Sequence, residues 1–347
     1  MRRRGRRERH AQPRRGQRPD RLGAAAGVVP DAARRPDARQ SRCTADRRGW
    51  GTLPLTDYGI STDGYADGVV QAGTYEDDLY GVVPVVNSLA LFYNQDLLDA
   101  AGVTPPTTWD ELESAAASLT DGDTYGVAFS GTNTFEGTWQ FLPFMWSNGG
   151  HEDDLTAPET VEALDLVTRL VDDGSASQSV VTWSQNDVND QFIAGKAAMM
   201  VNGPWNLPSL DAAEGLSFDV VTIPTRTAEQ DPVAPLGGEA FTVPNTGDAD
   251  RMAAAGEFVD CIVGDDHQLT MATGRGAVPS RTEVADQAAA DEPLIAAFVD
   301  TVQTARARTA LLGTQWPDAA TRIYTAEQLA LTGEASPSEA LAQAQDQ

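Results

Sequence analysis

The sequence predicts an α/β fold, and three observations lead there. Short apolar runs of strand composition alternate with amphipathic helical stretches along most of the chain, a pattern that argues for α/β layers over an all-β sandwich. The stretch from Trp183 to Trp205, WSQNDVNDQFIAGKAAMMVNGPW, reads as a helix, a tight turn and a strand in immediate succession. At 347 residues with 41% apolar content, the chain is long enough to build two domains with their own cores. No segment approaches the roughly 18 uninterrupted apolar residues that a membrane-spanning helix needs.

Within the Trp183 to Trp205 stretch, Val188, Phe192 and Ile193 recur at helical spacing after a start at Ser184, and Gly195 supplies a left-handed stop. Ala197 to Val201 is then a short buried strand. The breaker Asn202-Gly203-Pro204 leaves Trp205 on the turn at the strand's carboxyl end. Open α/β sheets hold their ligands at that end.

Before this stretch, the polar run to Asp78 reads as loop with short helical turns, and Leu79 to Val86 as a strand interrupted by Pro84. Leu89 to Tyr93 is a buried strand. Thr108-Trp-Asp-Glu111 is a capping box that starts a helix running to about Leu119. Thr124 to Ser130 has strand composition, Gly131 to Gly137 reads as loop, and Thr138 to Trp146 as an apolar helix. A second capping box, Thr156-Ala-Pro-Glu159, opens a helix whose Val161, Leu164, Val167, Leu170 and Val171 share one face until Gly174.

After Trp205, strands are expected over Phe218 to Ile223 and Glu239 to Val243, with Pro235-Leu-Gly-Gly238 in the loop between them. A helix from about Ala249 to Val263 is expected to pack Met252, Phe258, Val259, Ile262 and Val263, and to stop at Gly264. GRGAVPSR follows from Gly274, then a helix across Pro293 to Thr304 and two last helices around Ile323 and Ala340. Ser336-Pro-Ser-Glu339 is a third capping box. Cys261 occupies an apolar helical position and is expected to be a buried free thiol. His10, His151 and His267 have no ligand spacing, so no metal site is expected.

The net charge of −26 hides two unlike parts. Residues 1–48 carry 16 arginines against five acids, whereas the remainder carries nine basic residues against 46 acids, with Lys196 its lone lysine. Such an acidic surface repels polyphosphates and anionic membranes, so nucleic acid is not an expected partner of the folded part. General acidic composition bias explains much of it. The leader lacks amphipathic period and is expected to be disordered. Arg21 with Leu22 to Val29 gives only a minimal signal-peptide pattern of mostly Ala and Gly, and Gln-Ser-Arg before Cys43 is not a lipoprotein acylation site.

Three segments stand in the same order and spacing as in a known family. They are LYGVVPVVNSLALFYNQDLLDAAGVTPPTTWDEL from Leu79, WQFLPFMWSNGG from Trp139, and the stretch ending in Asn202-Gly203-Pro204-Trp205. On these the chain resembles the extracellular solute-binding proteins of family 1, the maltose-binding protein type that feeds ABC importers. The resemblance runs from about Gly51 to the C-terminus. It implies a two-lobed periplasmic-binding-protein type II fold, with residues 49–130 part of the N-terminal lobe, 131–240 mainly the C-terminal lobe, and 241–347 hinge crossings and shared helices. Members normally open with a secretion signal and then a strand, helix and strand ahead of a segment like GTLPLTD at Gly51. That front end is missing from residues 1–48, so the resemblance implies an incomplete first lobe, as a truncated or frame-shifted start would give.

Sugars present flat C–H faces to aromatic rings and hydroxyls to planar donors and acceptors. The resemblance implies that Trp205 matches an indole that stacks on a sugar ring, that Trp139 stands where relatives place a cleft-facing aromatic, and that Trp316 matches an aromatic near the last cleft-facing helix. Trp205 could instead be a core or hinge residue, and for Trp139 helix-face packing is a rival role. Asn87 corresponds to a cleft-lining polar position, with a turn amide as its plainer role. Gly237 and Gly238, followed by Glu239, resemble the loop that lets backbone approach the ligand, or form an ordinary tight turn. Glu136 and Asn133 are weaker candidates, and Tyr93, Trp109, Trp146 and Trp183 read as core.

Three functions follow. The first is the substrate-binding component of an ABC carbohydrate importer, an extracellular or cell-surface monomer that needs no cofactor and whose partners are a sugar and membrane permease subunits. The second is a non-binding remnant of such a receptor. The third is a carbohydrate hydrolase with paired carboxylates, against which stand the abundance of scattered acids and the lack of a G-x-S-x-G nucleophile motif.

Overall fold

A computed structural model of the chain describes residues 51–347. The expectations for residues 1–48 lie outside them. In chain order the strands are β1 Thr52–Leu53, β2 Thr74–Tyr75, β3 Asp78–Leu79, β4 Val85–Val86, β5 Ala90–Asn94, β6 Tyr125–Ala128, β7 Ala197–Asn202, β8 Phe218–Val221, β9 Val243–Pro244 and β10 Val278–Pro279. The helices are α1 Asp67–Gly73, α2 Gln95–Ala101, α3 Trp109–Leu119, α4 Phe135–Ser147, α5 Pro158–Asp172, α6 Gln185–Ile193 and α7 Leu207–Asp211. They continue with α8 Ala249–Ile262, α9 Asp265–Arg275, α10 Thr282–Asp291, α11 Ala296–Thr304, α12 Trp316–Leu331 and α13 Pro337–Gln345.

The centre is a four-stranded sheet in the order β6-β7-β5-β8, with β5 antiparallel to both β7 and β8, and β6 parallel to β7. It joins strands from both sides of residue 130. β7 is buried along its whole length because both sheet faces are covered. On one face Leu91, Val127, Met199 and Val201 enter a cluster with residues of α3, α4, α5, α12 and α13. On the other, Phe92, Ala128, Met200 and Val220 meet Val188 and Phe192 of α6 and Phe298 of α11, whose ring centroid lies 5.7 Å from that of Phe92. Each large apolar side chain so buried contributes about 1.5–3 kcal/mol.

Local signals set the helix starts. Ser184 caps α6 and shares a capping box with Asp187, and Gly195 turns the chain with φ 66° into β7. The boxes at Thr108 and Ser336 form as expected. The one at Thr156 does not. Pro158 takes the first helical position of α5 after Ala157, while the Thr156 hydroxyl bonds Asp154 Oδ1 instead. α4 begins at Phe135, earlier than expected, because Thr134 accepts from Glu136 N and converts the supposed loop into a first turn.

Other expectations are corrected as well. Of Glu239 to Val243, only Phe241, bridged to Val82, and Val243 pair with other strands. Gly264 starts α9 rather than simply ending α8. Phe258 is 57% exposed, and Cys261 is exposed instead of buried, because α8 turns Gly256 and Val259 inward. α9 and α10 were not anticipated; their alanines and acids make a weak apolar period.

Three segments far apart in sequence lie side by side. Asn87 and Gly237 exchange both backbone hydrogen bonds, at 3.1 and 2.8 Å. Leu236 N donates to Arg306 O at 3.1 Å, Arg306 N to Ala234 O at 3.0 Å, and the Ser88 hydroxyl to Pro235 O at 3.0 Å. These pairings tie residues 87–88, 234–237 and 306 to one another.

Candidate functional site

The three stitched segments bring most of the candidate residues together. Asn87 is half-buried at the start of the run into β5, and its backbone holds Gly237 in place. Trp139 projects from the first half of α4 onto the same point. A Cβ at Gly237 would stand 3.0 Å from Trp139 Cη2, so any larger residue here would press on the indole edge. Gly238 has φ 132°, and a Cβ there would fall 2.7 Å from Val83 Cγ1 and 2.9 Å from Val85 O. Gly238 is thus required by both sterics and conformation, while Gly237 keeps the indole edge close.

Gln140 fixes the height of Trp139 against the sheet. Its side chain accepts from Ser130 N at 2.8 Å and donates to Val201 O at 2.9 Å, tying α4 to the ends of β6 and β7. Trp205 follows the end of β7 in a 3-10 turn, half-buried, with its ring folded back over Gly203. The approach of Gly276 to Pro204 O closes this turn against the segment leading to β10, which pairs with β4 just before Asn87. Glu239 is exposed and pairs with Arg275 at 3.6 Å, next to Gly276. Asn87, Trp139, Gly237 and Gly238 thus form one locus, and Trp205 and Glu239 border it through the 275–279 segment.

Trp316 differs from the expectation. It is 2% exposed at the start of α12, packed in the core with its ring centroid 6.4 Å from that of Trp146. In this conformation it presents no face to a ligand, because the first turn of α12 directs the indole toward the C-terminal half of α4. Glu136 accepts from Gln185 N at 3.1 Å, and Asn133 is exposed beside Gln328 and Thr332. Trp109 and Trp146 are core, with their Nε1 hydrogens given to Pro224 O and Glu152 Oε2, whereas Tyr93 and Trp183 are partly buried.

Sequence reasoning missed two arginines. Arg306 lies over the Trp146 ring at 4.7 Å and pairs with the fully buried Glu152 at 2.9 Å, with His151 Nδ1 also at 2.9 Å. Arg308 lies over the Trp139 ring at 4.9 Å. The signal was present: Arg306 and Arg308 stand two apart and are two of only nine basic residues after position 48. Open depressions flank Arg306, about 800 Å³ toward Asp67 and Gln71 and about 310 Å³ toward His151 and Leu311. Neither is lined by Asn87, Trp139, Gly237 or Gly238.

One unusual carboxylate lies beneath the site. Glu327 on α12 is 1% exposed; a Cβ on Gly137 would come within 2.9 Å of its Oε2, which has no hydrogen-bond partner. Burial pushes its carboxyl well above the ordinary carboxylate range.

The fold as a whole is the two-lobed type II fold of maltose-binding-type solute-binding proteins. The chain belongs to the bacterial extracellular solute-binding protein family, whose match covers residues 24–297. That match begins inside the arginine-rich stretch, ahead of the resemblance from Gly51. A binding protein of Brucella abortus (strain 2308) is 30% identical over 155 residues, 42% of this chain and 38% of that protein. The maltooligosaccharide ABC transporter solute-binding lipoprotein of Streptococcus pneumoniae serotype 4 is 27% identical over 281 residues, 74% of this chain and 61% of that one. The chain therefore spans less than two thirds of the length of these curated relatives. Maltose-bound MalE3 of T. maritima has the same fold, with a TM-score of 0.74 at 23% identity over 85% of this chain and 79% of that one. No helix among the described residues is long and apolar enough to cross a membrane.

Proposed function

We propose that the protein is the substrate-binding component of an ABC carbohydrate importer, holding a mono- or oligosaccharide between its lobes without catalysis. The observation that carries this reading is the Trp139 indole, half-buried and set edge-on against Gly237, with the Asn87 amide on the adjoining strand. An aromatic face offers a sugar its apolar side, while Asn87 and nearby backbone supply planar partners for hydroxyls. The maltooligosaccharide receptor among the relatives supports the same ligand class.

Function would then be a change of population. A sugar that touches both lobes favours the closed arrangement by its differential affinity for it, and a membrane permease would recognise that form. The stitched segments at Asn87, Gly237 and Arg306 are where such a hinge would bend, with the lobes dividing at these crossings. The hydrolase reading has weaker support, since the carboxylate that burial pushes well up, Glu327, is shut in the core beneath α4 and not paired with a second acid.

Thermal-shift measurements against a sugar panel, with calorimetry on the hits, test the proposal. A binding sugar raises Tm without being turned over, and Trp139→Ala weakens it about tenfold or more while the protein stays folded. Release of product from a chromogenic glycoside would instead favour the hydrolase. No response to any sugar would favour the remnant.

A further inference from the structure

Arg308 occupies the place that the proposed function assigns to the ligand. Its guanidinium carbon stands 4.9 Å from the centre of the Trp139 ring, within the range of a cation–π contact. The ring edge is already taken by Gly237, so a sugar has to stack on a face, and Arg308 covers one of the two. The segment carrying Arg308 is anchored two residues earlier. Arg306 is held by backbone bonds to Ala234 and Leu236 and by its ion pair with buried Glu152.

A second observation concerns the indole itself. Trp139 Nε1 is buried and has no hydrogen-bond partner. Buried indole nitrogens usually find an acceptor, and one left without bears a desolvation cost. The capped arrangement is therefore not one in which Trp139 has satisfied its polar edge, whereas the neighbouring Trp146 has done so through Glu152.

We propose that Arg308 is an intramolecular cap on Trp139, competing with the sugar for the indole face and so lowering the affinity of the site for any sugar that stacks there. This inference rests on the receptor reading. A sugar that stacks on that face cannot share it with the guanidinium, so its binding includes departure of Arg308. The cost of uncapping is the same for every sugar that displaces it. Removing the cap should therefore tighten each of them by a similar factor.

The experiment uses the full chain as wild type, Arg308→Ala and Arg308→Gln, titrated with D-glucose, maltose and maltotriose by calorimetry. The Arg Nε–H resonances are followed by NMR on the wild type. In the free protein the Arg308 Nε–H resonance is shifted upfield by the indole ring current, and it returns to the ordinary arginine position at saturation. Both variants bind tighter than wild type by about 3- to 30-fold, the range of one cation–π contact, and by a similar factor for all three sugars. If the wild type binds and neither variant binds tighter, or if the resonance is unshifted in the free protein, the cap is refuted while the receptor reading stands. If no sugar binds the wild type or either variant, the receptor reading falls, and the competition falls with it.

Discussion

At the C-terminal end of α4, Trp146 gives its Nε1 hydrogen to Glu152 at 3.0 Å and lies under Arg306, which pairs with the same carboxylate. Two turns earlier, Trp139 lies under Arg308 and gives its hydrogen to no acceptor. Beside it, Glu327 points at Gly137 with Oε2 unpaired. Between the two ends, Pro143 has no N–H to offer the Trp139 carbonyl one turn back. The same guanidinium-over-indole contact thus occurs once with every polar edge satisfied and once without. A completed network fixes a structure; an uncompleted one marks where the molecule gave up stability, and such places tend to be where a ligand acts.

The largest effect should come from breaking the completed end. Glu152→Ala removes the acceptor of both Arg306 and Trp146 Nε1 and leaves a charge that is only 19% exposed without its partner. Loss of one member of a buried pair costs about 3 kcal/mol or more. Urea unfolding reads it as a fall in midpoint at unchanged slope. A loss below about 1 kcal/mol would mean that the two ends of α4 do not differ in the way described.

The opposite sign is expected at the uncompleted end. Glu327→Met keeps the volume and removes an unpaired buried carboxyl, so stability at pH 7 rises by about 2 kcal/mol. The pH dependence follows from the raised value of this group in the folded state. In the unfolded chain it ionises near the ordinary glutamate value of about 4.3, so its proton is held more tightly by the native protein. Its contribution is complete below that pH and is lost as pH rises through the raised native value. The difference in stability between wild type and Glu327→Met should therefore widen from pH 4 upward.

What the sequence made legible followed physical locality. Ser184, Gly195 and the run from Ala197 to Val201 are consecutive, so cap, stop and strand could be read from neighbouring residues. Asn87 and Gly237 were singled out through resemblance, while their direct pairing joins segments far apart in sequence, which periodicity does not encode. Thr156 failed because Pro158 sets the helix start more strongly than a distant Thr–Glu pair does. Trp316 failed for another reason: a tryptophan before proline at a helix start has the same local sequence whether its ring faces a groove or the core. Arg306 and Arg308 could have been flagged by their scarcity and spacing, but which indole each covers is a tertiary fact.

The smallest effect is the one that separates the two indoles most cleanly. Trp146→Phe and Trp139→Phe both trade an indole for a smaller ring, so the loss of packing is similar in kind. Trp146→Phe also strips a hydrogen bond from a buried carboxylate, whereas Trp139→Phe removes a hydrogen that has no acceptor. Hydrogen bonds to charged groups contribute about 1.5–3 kcal/mol. Trp146→Phe should accordingly be the less stable of the two by about 1.5 kcal/mol in urea unfolding. Equal losses would show that Trp139 finds an acceptor in solution, and the asymmetry between the two ends of α4 would disappear.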